Sequence, residues 1–378
     1  MQYRSMPGTG DKLSVLGYGC MRLPLDGEGR IDEERAVRLV RSAIDRGVNY
    51  IDTAYTYHME ESEPLVGRAL RDGYREKVFL ATKLPSWLVE APSDMDRFLE
   101  EQLARLQTDV IDYYLVHSLN AERWENMKKH GFAAFLDRAL ADGRIRRVGF
   151  SFHDQLPLFK EIVDAYPWNF CQIQYNFMDT AYQAGEAGLK YAAGKGLGVV
   201  IMEPLRGGNL ARNVPEVISS IWAESPKKIS PAGWALRWLW NQPEVSVVLS
   251  GMTTESDLED NLASAEEGIA GSLTEAELGL AARVREEYKN RMKILCTNCQ
   301  YCMPCPHGVN IPECFNRYNM AFMFDNLAQA KATYPVFLKP EARASACVKC
   351  GECEEKCPQN LEIRDLLEDV KALLEAEG

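Results

Sequence analysis

The stretch IDYYLVH, residues 111–117, is a short and mostly apolar run that ends in a histidine. Runs of this length without polar alternation are typical of strands that are buried on both faces of a parallel sheet. Seven similar runs lie between Leu16 and about Ala265: LGYG (16–19), VNYID (48–52), VFLATK (78–83), RVGFS (147–151), FCQIQY (170–175), GVVIME (198–203) and VSVVLS (245–250).

The segments between these runs have helical patterns, at 32–46, 94–106, 132–141, 185–195 and 254–265, and a further helix is expected at 274–291. Several begin with a capping residue, namely Asp32, Ser93 and Thr254. Eight buried strands that alternate with helices predict an α/β fold, a parallel (β/α)8 barrel. An open doubly wound sheet is the main alternative, but no G-x-G-x-x-G follows an early strand.

Eight of the 11 cysteines lie in the last quarter of the chain, in CTNCQYCMPCPHGVN (296–310) and CVKCGECEEKCPQN (347–360). Between and after these motifs, the segments 315–334 and 363–376 have helical patterns. We therefore expect two domains, a barrel over residues 1–292 and a small, mainly helical, cysteine-containing domain over residues 293–378.

The composition of the 378-residue chain, 46% apolar and 26% charged, is ordinary for a globular protein. Its net charge of −12 argues against nucleic acid or an anionic membrane as a partner. No stretch has the roughly 20 apolar residues of a membrane span, and the start, MQYRSMPGTGDKL, does not resemble a secretory signal. We expect a cytoplasmic protein, in which clustered cysteines bind metal more often than they form disulfides.

Polar side chains follow several of the apolar runs, and the active site of a (β/α)8 barrel lies at the carboxyl ends of its strands. The second run ends in Asp52, with Tyr57 soon after it, while the next two end in Lys83 and His117. Each residue has an ordinary explanation on its own, such as a helix cap for Asp52 or a core position for His117. Their occurrence on three consecutive strands favours a shared site.

These four residue types suit proton donation to a carbonyl oxygen. A free tyrosine has a pKa of about 10 and is a weak acid at neutral pH. A lysine cation beside the phenol is expected to lower that pKa, a carboxylate keeps the lysine charged, and a histidine can hydrogen-bond the substrate oxygen. Such a set can supply a proton to the oxygen while hydride reaches the carbon.

The segments NYIDTAYTYHMEESEPLVGRAL (49–70), VFLATKLP (78–85) and IDYYLVHSL (111–119) closely resemble signature segments of the aldo-keto reductase superfamily. The likeness extends from about Tyr3 to Ala265 and implies an NAD(P)H-dependent enzyme that reversibly reduces an aldehyde or ketone. Carried over to this chain, Tyr57 is the proton donor, Lys83 and Asp52 tune it, and His117 orients the carbonyl.

The resemblance also implies a set of cofactor contacts after the later strands: Ser151, Gln172, Asn176, Met202, Leu205, Arg206, Gly207, Ser250, Gly251, Met252 and Asn261. The chain departs from the family twice, because SFH (151–153) stands where many members have Ser-Asn-Phe, and Met202 replaces an aromatic that often stacks on nicotinamide. The stretch SGMTTESDLEDN (250–261) has four acidic residues and no basic one. We therefore expect NADH to be preferred over NADPH, whose extra phosphate meets like charge there.

The second cysteine motif has the C-x2-C-x2-C-x3-C-P spacing of bacterial ferredoxins, and the first has one residue fewer before its last cysteine. Zinc is the alternative for any cysteine cluster, but zinc sites favour two separated C-x2-C pairs. In two-cluster ferredoxins the fourth cysteine of each motif ligates the other cluster. By that rule one [4Fe-4S] cluster takes Cys296, Cys299, Cys302 and Cys357, and the other takes Cys347, Cys350, Cys353 and Cys305.

Barrel reductases with an appended α-helical ferredoxin-like domain form a subgroup that this chain resembles. The clusters are expected to exchange single electrons with a redox partner protein or to stabilise the second domain. Two functions stay open at this point. One is enzymatic carbonyl reduction, and the other is a non-catalytic electron-transfer or regulatory role that keeps the barrel as a nucleotide-binding scaffold. Four aromatic or histidine side chains are candidates for the substrate pocket: Tyr55, Trp87, His153 and Trp222.

Overall fold

A computed structural model of the chain describes residues 1–212 and 214–376. The chain divides into two compact units, one formed by Met1–Gly208 with Ile229–Leu278 and the other by Asn209–Lys228 with Gly279–Gly378. The domain boundary expected between residues 292 and 293 stays a prediction. The last two residues of the expected second domain lie outside the described part of the chain.

The first unit opens with an antiparallel hairpin, β1 (Tyr3–Ser5) and β2 (Lys12–Ser14), and continues as a closed barrel of eight parallel strands. The barrel strands are β3 (Leu16–Gly19), β4 (Tyr50–Asp52), β5 (Phe79–Leu84), β6 (Ile111–Leu119), β7 (Ile145–Phe152), β8 (Phe170–Gln174), β9 (Gly198–Met202) and β10 (Val245–Ser250). They follow in sequence order around the barrel, and β10 closes it by pairing with both β9 and β3. The predicted (β/α)8 barrel is confirmed, with strand bounds that differ from the apolar runs by up to two residues.

The barrel interior is filled with side chains at its amino end. Because successive strand residues point to opposite faces, one set packs inside the barrel and the other packs against the helices. The inside set is joined by Met6 and Leu13 from the hairpin segment. A Cβ at Gly198 would lie 1.7 Å from the sulfur of Met6, so any larger residue there would force the Met6 side chain to move. The carboxyl ends of the strands are left for a site.

The helices that the structure places around and after the strands include those expected from the sequence: α1 (Glu33–Asp45), α2 (Ser62–Ala69), α3 (Pro92–Leu106), α4 (Ala121–Lys129), α5 (Phe132–Ala141), α6 (Leu156–Ala165), α7 (Gly185–Gly194), α8 (Glu216–Ala223), α9 (Pro231–Trp240), α10 (Glu255–Glu266) and α11 (Glu275–Asn290). Asp32 and Thr254 cap α1 and α10, as expected. The predicted cap Ser93 is wrong, because α3 begins at Pro92. A first-turn proline has no N–H to satisfy, and Asp94 accepts the N–H groups of Glu90 and Ala91 instead.

The second unit is mainly helical and has its own apolar core. Its helices after the first cysteine motif are α12 (Ile311–Met323), α13 (Leu327–Phe337), the short α14 (Glu352–Glu355) and α15 (Ile363–Leu374). The core includes Ile311, Phe315, Tyr334 and Leu367, and the partly buried cysteines pack around it. Within the residues described, no helix has the length and apolar character that crossing a membrane requires.

Candidate active site

The four candidate catalytic residues lie at the carboxyl ends of β4, β5 and β6 and in the loop after β4. Asp52 is the last residue of β4, Lys83 lies one residue before the end of β5, and His117 lies near the end of β6. The ammonium nitrogen of Lys83 lies 2.7 Å from Asp52 Oδ1 and 3.3 Å from the Tyr57 hydroxyl. The rings of Tyr57 and His117 are 6.0 Å apart. The structure thus brings together all four residues.

The side chain of Lys83 is completely buried and held by three oxygens. Besides Asp52 and Tyr57, it donates to the backbone oxygen of Thr53 at 2.7 Å. Burial alone lowers the pKa of Lys83, but the charge and hydrogen bonds of Asp52 and Tyr57 more than reverse this, so the pKa is raised. Lys83 is therefore a permanent cation that points at the phenol.

The phenol of Tyr57 has a pKa above its ordinary value. Its removal from water raises the pKa, and Lys83 only partly offsets this, while Asp52 and Glu203 raise it further. We expected Lys83 to bring the pKa of Tyr57 below its ordinary value. Lys83 does act in that direction, but the resulting pKa is still raised, so the expectation is wrong. Tyr57 is therefore protonated at neutral pH, a state that fits the proton donor expected from the sequence.

His117 is a buried neutral imidazole at the same place. Its pKa lies well below the ordinary value, first because of burial and then because of neighbouring positive charges that include Lys83 and Arg123. In the described part of the chain its Nδ1 atom is buried and has no hydrogen-bond partner. A neutral imidazole with a free ring nitrogen can hydrogen-bond a substrate oxygen without changing its charge.

These directions predict a flat pH dependence for carbonyl reduction at saturating cofactor. The pKa of Tyr57 is raised, so its acid form is lost only as the pH rises through a value above about 10, and neutral His117 gains no proton at mildly acidic pH. We expect kcat to vary less than about threefold between about pH 6 and 9. A sigmoidal change with a midpoint near pH 6.5 would show that His117 titrates and would contradict this assignment.

A buried polar network behind Lys83 was not foreseen from the sequence. The side-chain amide of Gln102 donates to the backbone oxygen of Lys83 at 3.0 Å and to the carboxylate of Glu63 at 2.7 Å. Thr82 donates to the same carboxylate at 2.6 Å. Glu63 on α2 and Gln102 on α3 are completely buried. A signal was available only for Gln102, as a polar residue within the predicted helix 94–106.

The expected nicotinamide contacts differ in whether their polar atoms already have hydrogen-bond partners. Gln172 Oε1 is buried and, among the residues described, has no partner, while its amide nitrogen lies 3.6 Å from the Met202 sulfur. Ser151 already accepts a hydrogen bond from the backbone of Ser118. The side chain of Asn176 already has partners, because it donates to Asp179 and to the backbone oxygen of Glu203 and accepts from the backbone amide of Asp179. The orphaned oxygen of Gln172 fits a ligand amide, whereas Asn176 serves its turn.

The other expected cofactor contacts line the carboxyl ends of β9 and β10. Leu205, Arg206 and Gly207 follow β9, and the Arg206 guanidinium pairs with Asp179 at 3.0 Å. After β10, Ser250 accepts a hydrogen bond from Asn261 at 2.6 Å, and Met252 is completely buried. Gly251 lies against Arg22, which pairs with Glu203 at 3.2 Å. Arg22 and Glu203 were not foreseen, although Glu203 is the last residue of the apolar run GVVIME.

The acidic stretch after β10 is less negative than its sequence suggests, because α1 and the residue after it supply arginines to it. Arg35 donates to Glu255 through two nitrogens, the shorter contact being 2.6 Å, and Arg46 pairs with Glu259. Asp257 is used as part of the cap of α10. Sequence reasoning missed these arginines because they lie more than 200 residues away along the chain.

Of the four candidate pocket residues, Trp87 lies beside His117 of the described site. Its ring is 5.1 Å from the ring of His117. His153 is exposed just after β7, whereas Tyr55 is buried, packs edge-on against Phe98 and donates to Glu101. Trp222 is buried within α8, which belongs to the second unit.

The cysteines of the second unit line two cavities. One is lined by Cys296, Cys299, Cys302 and Cys357, and the other by Cys305, Cys347, Cys350 and Cys353, together with Cys302. Each cavity thus contains the four thiols of one predicted ligand set. In the portion of the chain described, no three Cys, His, Asp or Glu side chains are close enough to hold a single metal ion. Thiols that surround a cavity fit a group larger than one ion.

Comparison with known proteins supports the description of both the barrel and the cysteine-containing unit. The aldo/keto reductase family model matches residues 15–270, and a 4Fe-4S dicluster domain model matches residues 295–361. The aldo-keto reductase YhdN of Bacillus subtilis is 31% identical over 204 residues, which are 51% of this chain and 58% of that protein.

Two further relatives are matched over nearly their whole length. L-galactose dehydrogenase of Arabidopsis thaliana is 27% identical over 316 residues, which are 77% of this chain and 96% of that protein. Among solved structures, the thermostable aldo-keto reductase Tm1743, in complex with the inhibitor epalrestat, is 28% identical with a TM-score of 0.63. That match covers 75% of this chain and 100% of the other.

Proposed function

Because this chain belongs to the aldo/keto reductase family, we propose that it reversibly reduces an aldehyde or ketone with NAD(P)H and that Tyr57 donates the proton. The observation that carries the proposal is the buried Lys83 ammonium, which contacts both Asp52 and the Tyr57 hydroxyl. A structural lysine has no need of a phenol as its partner, because Asp52 and the Thr53 oxygen already bind it.

The chain's own residues account for the proton and for the position of the substrate. His117 donates a hydrogen bond that holds the carbonyl oxygen beside the Tyr57 hydroxyl, within reach of proton transfer. Tyr57 passes its proton to that oxygen as hydride reaches the carbon, and Lys83 stabilises the resulting phenolate. Asp52 keeps Lys83 charged throughout. In the reverse direction the phenolate removes the alcohol proton.

The residues fit a nicotinamide cofactor, which would supply the hydride when bound. The buried, unpaired oxygen of Gln172 is a suitable acceptor for its carboxamide. Ser151 and Met202 flank it, while Arg22 and Arg206, each paired with a carboxylate, offer cations for the phosphates. The test of the function is an anaerobic screen of aldehydes, ketones and alcohols with NADH and NADPH. Absence of turnover with every pair would contradict it.

We expect NADH to bind more tightly than NADPH, and we expect Glu255→Gln to shift this preference. The substitution removes one negative charge and frees Arg35 for a phosphate. Since the site is exposed, the shift in the ratio of dissociation constants should be about two- to fivefold towards NADPH. Fluorescence titration with both cofactors measures it, and Glu34→Gln, which disturbs only the exposed pair with Arg38, is the matched control. Tighter NADPH binding by the wild type would reject the expected preference.

We also propose that the second unit carries two [4Fe-4S] clusters that exchange single electrons with a separate redox protein or stabilise the unit. The two cysteine-lined cavities support this count. Hydride transfer moves two electrons together, so the clusters are not needed for the carbonyl step itself. A non-catalytic electron-transfer protein is the second candidate function, and the matched dicluster domain favours it. Carbonyl turnover by the purified protein distinguishes the two.

A further inference from the structure

Arg123 lies in the first turn of α4, beside the candidate active site. Its guanidinium carbon is 4.9 Å from the centre of the Trp87 ring. The Trp87 ring is in turn 5.1 Å from the ring of His117, the residue assigned to the substrate carbonyl. A cation, an indole and an imidazole therefore follow one another at the carboxyl ends of the strands.

The position of Arg123 is fixed by the backbone next to His117. One guanidinium nitrogen donates to the backbone oxygen of Ser118 at 2.8 Å and to its hydroxyl at 2.5 Å. Ser118 has a φ of +57°, a left-handed conformation that costs a non-glycine residue some strain. The backbone amide of Ser118 is held by the Ser151 hydroxyl. The same residue that follows His117 thus orients the arginine.

Three other cations around the site form ion pairs with carboxylates. Lys83 pairs with Asp52, Arg22 with Glu203, and Arg206 with Asp179. Among the described residues no carboxylate forms an ion pair with Arg123, although the guanidinium is partly buried. Burial lowers its pKa, which reflects the cost of holding a charge there, and the negative charge of the neighbouring Glu122 offsets this only in part. A bound anion would relieve that cost.

On the basis of the proposed function, we propose that Arg123 determines substrate specificity by binding an anionic oxygen group, so that the substrate is an aldehyde or ketone with a carboxylate or phosphate. Guanidinium nitrogens match such groups in geometry and charge. Trp87 packs beside the part of the substrate between the anionic group and the carbonyl. The Trp87 ring centre is 4.9 Å from the guanidinium carbon and 5.1 Å from the centre of the His117 ring, so one small substrate can reach both groups.

The first test compares charged and neutral substrates that differ in one group. The carboxylate series is 4-oxobutanoate against its methyl ester and butanal, and the phosphate series is glyceraldehyde 3-phosphate against glyceraldehyde. For the wild type we expect kcat/KM to be about 10- to 100-fold higher for the charged member of at least one series, mainly through a lower KM. The series with the larger ratio identifies the anionic group.

Variants at position 123 test whether Arg123 causes the preference for charged substrates. In Arg123→Met the charged-to-neutral ratio should fall to about one, and Arg123→Lys should keep part of it because the charge remains without the planar fork. Arg138→Met, which removes an exposed arginine that pairs with Asp96 on the same barrel, should keep the wild-type ratio. A wild-type ratio near one in both series, or an unchanged ratio in Arg123→Met, overturns the proposal while carbonyl reduction itself stands.

A binding measurement separates this proposal from the proposed function. Calorimetric titration with butanoate and butanamide should show that the wild type prefers the carboxylate and that Arg123→Met does not. If no carbonyl is reduced by the protein, the proposed function fails, and this preference still decides whether Arg123 binds an anion. Equal affinity of the wild type for butanoate and butanamide, with no phosphate preference in the turnover series, counts against it.

Discussion

Tyr57→Phe is expected to lower the kcat of carbonyl reduction by about 10²- to 10⁴-fold, the usual contribution of a general acid. The phenylalanine ring keeps the packing against His117 and removes only the hydroxyl. Lys83 stays bound to Asp52 and the Thr53 oxygen, so the buried ion pair does not lose its other partners. The dissociation constant for NAD(P)H should therefore change less than about threefold. Steady-state kinetics and a fluorescence titration measure the two quantities.

Tyr55→Phe is the matched control for this experiment. Tyr55 lies two residues before Tyr57 and is also largely buried, but its hydroxyl donates to Glu101 and its ring packs against Phe98. Its loss should cost some stability and little activity. If Tyr57→Phe turns over carbonyls at a rate near that of the wild type, Tyr57 is not the proton donor and the role assigned to Lys83 falls with it.

The barrel could be predicted from the sequence because buried parallel strands leave a clear pattern. Each of the eight apolar runs is a strand, since a strand covered on both faces has no polar side to interrupt the run. The ends of the elements were less predictable. VNYID contributes a strand only from Tyr50, and α3 begins at Pro92 because Asp94 satisfies amide groups that lie before the helix.

The candidate catalytic residues could be located for the same reason, whereas their electrostatics could not. Asp52, Lys83 and His117 occupy strand ends, and the barrel brings such positions together. The raised pKa of Tyr57 depends on how much water the folded site excludes, a quantity that one residue's neighbours in sequence do not determine. The ion pair of Arg35 with Glu255 joins helices at opposite ends of the barrel sequence, so a prediction from residues 250–261 alone overstated the negative charge.

The second large expected effect is the loss of one complete cluster when two cysteines of the same predicted ligand set are replaced by serine. Cys299 and Cys357 line the same cavity, whereas Cys299 and Cys305 line different ones. In anaerobically purified full-length protein, we expect about eight iron atoms in the wild type and about four in Cys299→Ser/Cys357→Ser. The remaining cluster of that variant should give an unaltered paramagnetic signal on reduction.

Cys299→Ser/Cys305→Ser distinguishes this crossed arrangement from ligation within each motif. If the fourth cysteine of each motif serves the other cluster, this variant removes one ligand from each cluster, and neither should keep the wild-type signal. Under ligation within motifs the two double variants exchange their results. Cys314→Ser is the control, because Cys314 is buried in the same unit beside Tyr334 and lines neither cavity. It should retain about eight iron atoms. A wild-type protein that binds zinc in place of iron would contradict the cluster assignment altogether, since four thiolates suit either metal and the cavities alone favour the larger group.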